Sequence, residues 1–407
     1  MSHIAYFNNS GYGHVIPTLG VVSELVDRGH RVTYVTGDRL VDTVAATGAR
    51  VLGYDSQLVH VDLSEMVDAD ATSRMPGIYL QETVDILAAA EPVLELDRPD
   101  LIAFDMTVYH AGRILARKWD VPAAECFPCL ASNKHFSFLD AMLGTMTDKG
   151  SWGHPALRAF FTRLNGVLAD HGQSDRTVEE VMGQVDDLNL VFHPRRFQPA
   201  GGSFDDRFTF MGPCLEYTER AEAPWRPPEG AGPVVLISLG TSVNRQPEFF
   251  RMCVDTFAGT PWHVVLAVHN AVDPAGLAPL PPNIEAHSWI PHLSVLSHAA
   301  VFVSHGGLGS IMGGLGQGVP LVLVPSSPEH KVNAHRVAEL GLGRVVRQEA
   351  LTPQRLLAAV GDVAADPLTT KRVTRMRDEI RQAGGPAAAA DAIERRIAAH
   401  RRVAAVG

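Results

Sequence analysis

Short apolar runs recur along the whole chain, and most are followed by a stretch whose apolar residues return at helical spacing. "IAYF", "RVTYVT", "DLIAFD", "VPAAECF", "NLVFH" and "FTFMG" come first; "VVLISLG", "WHVVLAV", "IEAHSW", "AVFVSH" and "LVLVP" come later. Strands that are apolar on both faces and alternate with helices need a parallel sheet covered on both sides. The two sets are separated by "EYTERAEAPWRPPEGAG", which is charged, rich in Pro and Gly, and without apolar periodicity. That segment reads as a linker. The expected fold is therefore α/β, with two facing Rossmann-like domains. The N-terminal domain covers 1–215, the linker 216–232 and the C-terminal domain 233–385. An Ala- and Arg-rich helix over 386–407 is expected to cross back and pack on both. In such sheets ligands sit beyond the C-terminal strand ends, so a cleft between the domains is the expected site.

Composition narrows the function. A chain of 407 residues exceeds one comfortable core. Its net charge of -10 disfavours nucleic acid and polybasic membrane contact. No apolar run reaches the length of a membrane span, and the chain begins directly with a strand rather than a signal segment. Four cysteines in so long a chain do not make a disulfide framework, and a cytoplasmic protein is expected. Cys126 and Cys129 form a CxxC pair, but Cys214 and Cys253 supply no second pair for zinc. A redox role is the alternative to two ordinary buried cysteines.

Several loops follow strand ends and hold candidate chemistry. After "AVFVSH", His305, Gly306, Gly307 and Gly309 precede a helix that begins near Ser310. Glycines there imply positive φ or a close approach of main chain to a ligand, and a helix N-terminus attracts phosphate. "SLGTS" puts Gly240 and Thr241 at another strand end, a further candidate phosphate contact. Gly11 and Gly13 follow the first strand and Asp38 the second, but Ile16 and Pro17 stand where a dinucleotide fingerprint needs its third glycine. His14 in that loop can serve as a general base or can simply cap or pack. Asp105 ends "DLIAFD" and can orient it. Trp289 in "HSWIPH" can stack on a nucleobase or fill core. Asp68 to Asp70, "DAD", is expected to be a solvated loop. The segment from about 133 to 187, helical and rich in Phe, Leu and Met, is expected to wall an apolar pocket, an acceptor wall if the chain proves to be a transferase.

Together "GYGHVIPTL", "RGHRVTYVT", "PDLIAFD", "VVLISLGT", the Trp289-Ile290-Pro291-His292 run and "HGGLGS" with its following Gly-x-Pro-Leu resemble the inverting, GT-B-fold natural-product glycosyltransferases of the macrolide, enediyne and plant secondary-product group. The resemblance spans nearly the whole chain. It implies a nucleotide-sugar in the C-terminal domain and an apolar acceptor in the N-terminal one. It makes His14 the base and Asp105 its partner, and stacks Trp289 on the nucleobase. Thr241, His305 and the amides from Gly307 to Ser310 would hold the diphosphate, with no metal and no cofactor beyond the nucleotide-sugar co-substrate, a dTDP- or UDP-sugar. A homodimer is compatible with it.

Two positions depart from the family. Gly313 stands where many relatives carry a glutamate that grips the ribose hydroxyls. Glu329-His330 replaces the acidic-plus-glutamine pair that holds glucose-like sugars. Both departures favour a dTDP-deoxysugar donor over UDP-glucose. The alternatives are a UDP-glucose-dependent enzyme that inactivates an antibiotic, a nucleotide-sugar epimerase, and a non-catalytic transferase partner. Retention of His14 and Asp105 argues against the last.

Overall fold

The computed structural model describes the chain apart from residues 62–68, 147–153, 215–223, 241–245, 270 and 405–407. The chain divides into two units, one of residues 1–138, 146–214 and 383–407, the other of 139–145 and 215–382.

The first unit is built on strands β1 (His3–Phe7), β2 (Arg31–Gly37), β3 (Arg50–Tyr54), β4 (Leu101–Asp105), β5 (Ala123–Phe127), β6 (Leu188–Val191) and β7 (Phe208–Phe210). All pair in parallel, in the order 3-2-1-4-5-6-7. β1 and β4 are buried at every residue, as strands covered on both faces must be. The chain winds outward from β1 to β3, then returns to place β4 on the other side of β1. The winding therefore reverses between β1 and β4, whose C-terminal ends frame a crevice.

Helices α1 (Tyr12–Asp27), α2 (Val41–Ala45), α3 (Ala69–Leu94) and α4 (Tyr109–Trp119) connect these strands. α5 (Phe138–Gly144), α6 (Pro155–Asp170) and α7 (Val178–Gly183) lie between β5 and β6 in sequence. α3 corrects the reading of the "DAD" segment. Ala69 opens the helix and Asp70 lies in its first turn, where the dipole favours an acid; its carboxylate meets Arg74 at 2.5 Å and His154 at 3.0 Å. Asp68 lies outside the described residues. The acceptor-wall expectation also changes for α6. Its Phe160, Leu164, Val167 and Leu168 belong to the core that packs it on α3.

The second unit repeats the winding with β8 (Val234–Ser238), β9 (His263–Ala267), β10 (Ile284–His287), β11 (Ala299–Ser304), β12 (Leu321–Leu323) and β13 (Gly343–Val345), parallel in the order 10-9-8-11-12-13. Its reversal lies between β8 and β11. The helices are α8 (Pro247–Phe257), α9 (His292–Leu296), α10 (Leu308–Gln317), α11 (Pro328–Glu339), α12 (Pro353–Ala365) and α13 (Pro367–Gln382). The terminal helix α14 (Gly385–Ala404) packs in the first unit on α1, β6 and β7. Arg28 pairs there with Asp391 and Glu394, and His30 with Glu394.

Candidate functional site

In the first unit the β1–α1 loop is held from within. The Gly11 carbonyl accepts the N–H groups of His14 and Val15, both at 3.0 Å, and so starts α1. Asn8, fully buried, donates to the His14 carbonyl at 3.1 Å and to the Tyr34 hydroxyl at 2.9 Å. Gly11 itself donates to Asn9 Oδ1 at 2.6 Å, and a Cβ on Gly11 would stand 2.8 Å from that oxygen. Glycine is needed there for close approach rather than for a ligand.

The loop delivers His14 to the end of β4. His14 Nδ1 lies 2.9 Å from Asp105 Oδ2, across 91 residues of sequence. Asp105 is fully buried, whereas the His14 side chain keeps 21% of its surface exposed. A carboxylate at Nδ1 selects the tautomer protonated there and leaves Nε2 as an acceptor. The imidazole is therefore oriented by a buried carboxylate while part of it stays open to solvent. Thr107 closes on the other carboxylate oxygen, donating its N–H at 2.8 Å and its hydroxyl at 2.5 Å. The Asp-x-Thr spacing is a legible Asx-turn signal, yet Thr107, Asn8 and Asn9 did not stand out in the sequence.

In the second unit the glycines have separable reasons. Gly306 takes φ +98 and Gly240 φ +72, conformations that side chains rarely adopt. Gly240 and Gly307 flank the His305 ring, and a Cβ on either would come within 2.6 Å of it. Gly309 is different: a Cβ there would meet nothing within 4 Å. It leaves the first turn of α10 uncovered, where helix N–H groups have no partner within the helix. Gly307 is the N-cap residue and makes no side-chain cap. Ser310 sits in that first turn, half-buried.

His305 is buried, and burial pushes its imidazole down to about 4, against a smaller opposing effect of the Ser238 backbone. It is thus neutral, with a single N–H that the Ser238 backbone carbonyl accepts. His330 is also buried, its ring edge-on to His305 with centroids 4.5 Å apart and its Nδ1 3.1 Å from Ser326 Oγ. It faces inward, while Glu329 in the first turn of α11 is half-buried. Trp289 follows β10 with 52% of its surface exposed, so core filling is not its role. His269, at φ +48, meets it in a T-shaped contact at 5.8 Å. Gly313 is buried in α10. Thr241 lies outside the described residues. The four cysteines are buried and none is in a disulfide. Cys126 Sγ accepts the Tyr6 hydroxyl at 2.9 Å, and burial pushes its thiol up, the reverse of what a redox thiolate needs. Among the described residues no group of His, Cys, Asp or Glu could hold a metal ion, and no helix is long and apolar enough to cross a membrane.

The buried histidines make acid stability a test. Burial lowers His305 to about 4 and His110 and His292 to about 3. Between an unfolded value near 6.5 and these folded values the unfolded chain binds more protons, so stability falls as pH falls through that window. Each histidine contributes about 1.4 kcal/mol per pH unit there. Glu125, which burial raises to about 8, and Asp85, also raised by burial, slope the opposite way but are outnumbered by the lowered histidines. The urea midpoint should be clearly lower at pH 4.5 than at pH 7.5. Equal midpoints would show that these rings are not held neutral.

Residues 253–395 match the family model described as "Erythromycin biosynthesis protein CIII-like, C-terminal domain". The chain is 39% identical over 399 residues to NDP-glycosyltransferase YjiC of Bacillus licheniformis, covering 96% of this chain and 97% of that one. It is 37% identical over 402 residues to demethyllactenocin mycarosyltransferase of Streptomyces fradiae, covering 97% and 86%. The crystal structure of CalG4, the calicheamicin glycosyltransferase, matches at a TM-score of 0.88 and 43% identity over 98% of both chains. With two doubly wound parallel sheets and identity of this level along nearly the full length, this chain belongs to the GT-B-fold natural-product glycosyltransferases and is a glycosyltransferase.

Proposed function

We propose that this enzyme transfers a sugar, with inversion, from a nucleoside diphosphate to a hydroxyl of a hydrophobic natural product such as a macrolide, an enediyne or an aromatic polyketide. The observation that carries the reading is the His14–Asp105 pair, 2.9 Å apart where the winding of the first sheet reverses. His14 Nε2 takes the proton of the acceptor hydroxyl as its oxygen attacks the anomeric carbon. The C–O bond to the diphosphate breaks on the opposite face, so configuration inverts in one displacement. Asp105 stabilises the imidazolium that forms. Charge building on the leaving diphosphate is met by the amides that open α10, with His305 beside them, and the reading assigns no metal and no further cofactor. Trp289 stacks on the nucleobase. Reduced, buried cysteines suit a cytoplasmic enzyme.

The donor in this reading is a dTDP-deoxysugar. Gly313 has no side chain to grip a ribose 2′-hydroxyl, and a lost charge-assisted hydrogen bond removes roughly ten- to a hundredfold of ribose preference. His330, buried with its Nδ1 engaged by Ser326, carries no amide to hold a glucose-like sugar. One relative is named a mycarosyltransferase, which supports a sugar other than glucose. Calorimetric titration with dTDP and UDP should give dTDP at least equal affinity; UDP tenfold tighter would overturn the donor assignment. Turnover of an acceptor panel, followed by mass detection and the anomeric configuration of the product, tests the transfer itself. An epimerised sugar formed without any acceptor would instead favour the epimerase.

A further inference from the structure

A carboxylate has two equivalent oxygens, and rotation about one side-chain bond decides which way they point. Only some of those rotations present an oxygen to His14. Asp105 Oδ2 does so because Oδ1 is taken twice by Thr107, once by its backbone N–H and once by its hydroxyl. The hydroxyl has a single proton, and the Asp105 bond uses it. Its oxygen is then an acceptor, which Asn9 Nδ2 fills at 2.6 Å across 98 residues of sequence. Asn9 Oδ1 meanwhile accepts the Gly11 N–H at 2.6 Å. The amide orientation is dictated by these neighbours: flipped, it would set its N–H groups against the Gly11 donor.

The bonds close a ring. His14 meets Asp105, Asp105 meets Thr107, Thr107 meets Asn9, Asn9 meets Gly11, and the Gly11 carbonyl returns to the His14 N–H at 3.0 Å. One fully buried amide, Asn9, thus ties the loop that carries the imidazole to the loop that carries the carboxylate. A chain of donors running in one direction polarises each successive bond. We propose that Thr107, backed by Asn9, is a positioning residue of this transferase, holding the Asp105 carboxylate in the rotation that meets His14. The proposal rests on His14 acting as the base.

Thr107→Val removes the hydroxyl and keeps the branched shape and the backbone N–H. With an aliphatic alcohol acceptor its kcat should fall about tenfold, a part of what a general base contributes, with the KM values for donor and acceptor unchanged. Thr107→Ser should recover most of that loss, and a phenolic acceptor should lose less. Asn9→Asp breaks the same arrangement by another route, keeping an oxygen for Gly11 while competing for the Thr107 proton; it should lower kcat without moving KM. A Thr107→Val enzyme with parental kcat overturns the proposal, as does a Thr107→Ser enzyme no better than the valine variant. His14→Ala, run in parallel, separates the two readings. If it loses turnover while Thr107→Val and Asn9→Asp do not, the positioning role alone fails; if it keeps full turnover with the alcohol, the base assignment fails and the proposal with it.

Discussion

His14→Ala is expected to lower turnover of an aliphatic alcohol acceptor by roughly 10²–10⁴-fold, the range for losing a general base. Affinity for the nucleoside diphosphate should hardly change, because His14 sits in the first unit and the α10 amides in the second. The substitution leaves the buried Asp105 carboxylate with both Thr107 donors, so one charge keeps most of its hydrogen bonds and the fold should survive. Unaltered nucleotide binding by calorimetry serves as the folding control. A parental rate with the alcohol would remove His14 from the mechanism. Phenols give a weaker test, since their own acidity reduces the need for a base.

Trp289→Ala should weaken nucleoside diphosphate binding by about 1–3 kcal/mol, the value of one base stacked on one aromatic ring in comparable sites. That is roughly five- to a hundredfold and more in Kd. Half of the indole is exposed, so its removal opens no core cavity, and the melting temperature should hold. This separation gives the test its force. Weaker nucleotide binding with an unchanged melt supports stacking, whereas equal affinity for mutant and parent would leave Trp289 without a part in the donor site.

The sequence was least informative where burial is partial or contacts are distant. β3, with exposed and half-buried residues in alternation with no regular period, and the three-residue β13 carry little apolar signal, and neither stood out. α3 begins beside an acidic cluster and holds Pro76 and Pro92 within its length, which hides a long helix behind local breakers. His330 drew attention as a departure from the family's acidic-plus-glutamine pair, yet side-chain direction is a matter of packing. The ring turns toward His305, and its position in sequence carries no sign of that.

What the chain's own residues determined is the pair of doubly wound sheets. Apolar runs buried on both faces and alternating with helices leave no other way to satisfy the backbone, and one Pro- and Gly-rich segment divides them. They also placed His14 just past β1 and Asp105 at the end of β4, because both facts are local. That the two groups meet is a tertiary result. It depends on β4 returning beside β1 rather than beside β3, with Ile4 paired to Leu101 far along the chain, and that closure is set by the packed sheet and not by any local preference. The same holds for the glycines. Their clustering at strand ends was legible, but only the packed structure distinguishes Gly306 and Gly240, both at positive φ, from Gly307, required by the His305 ring that Gly240 also faces, and from Gly309, which stands in open space at the start of a helix.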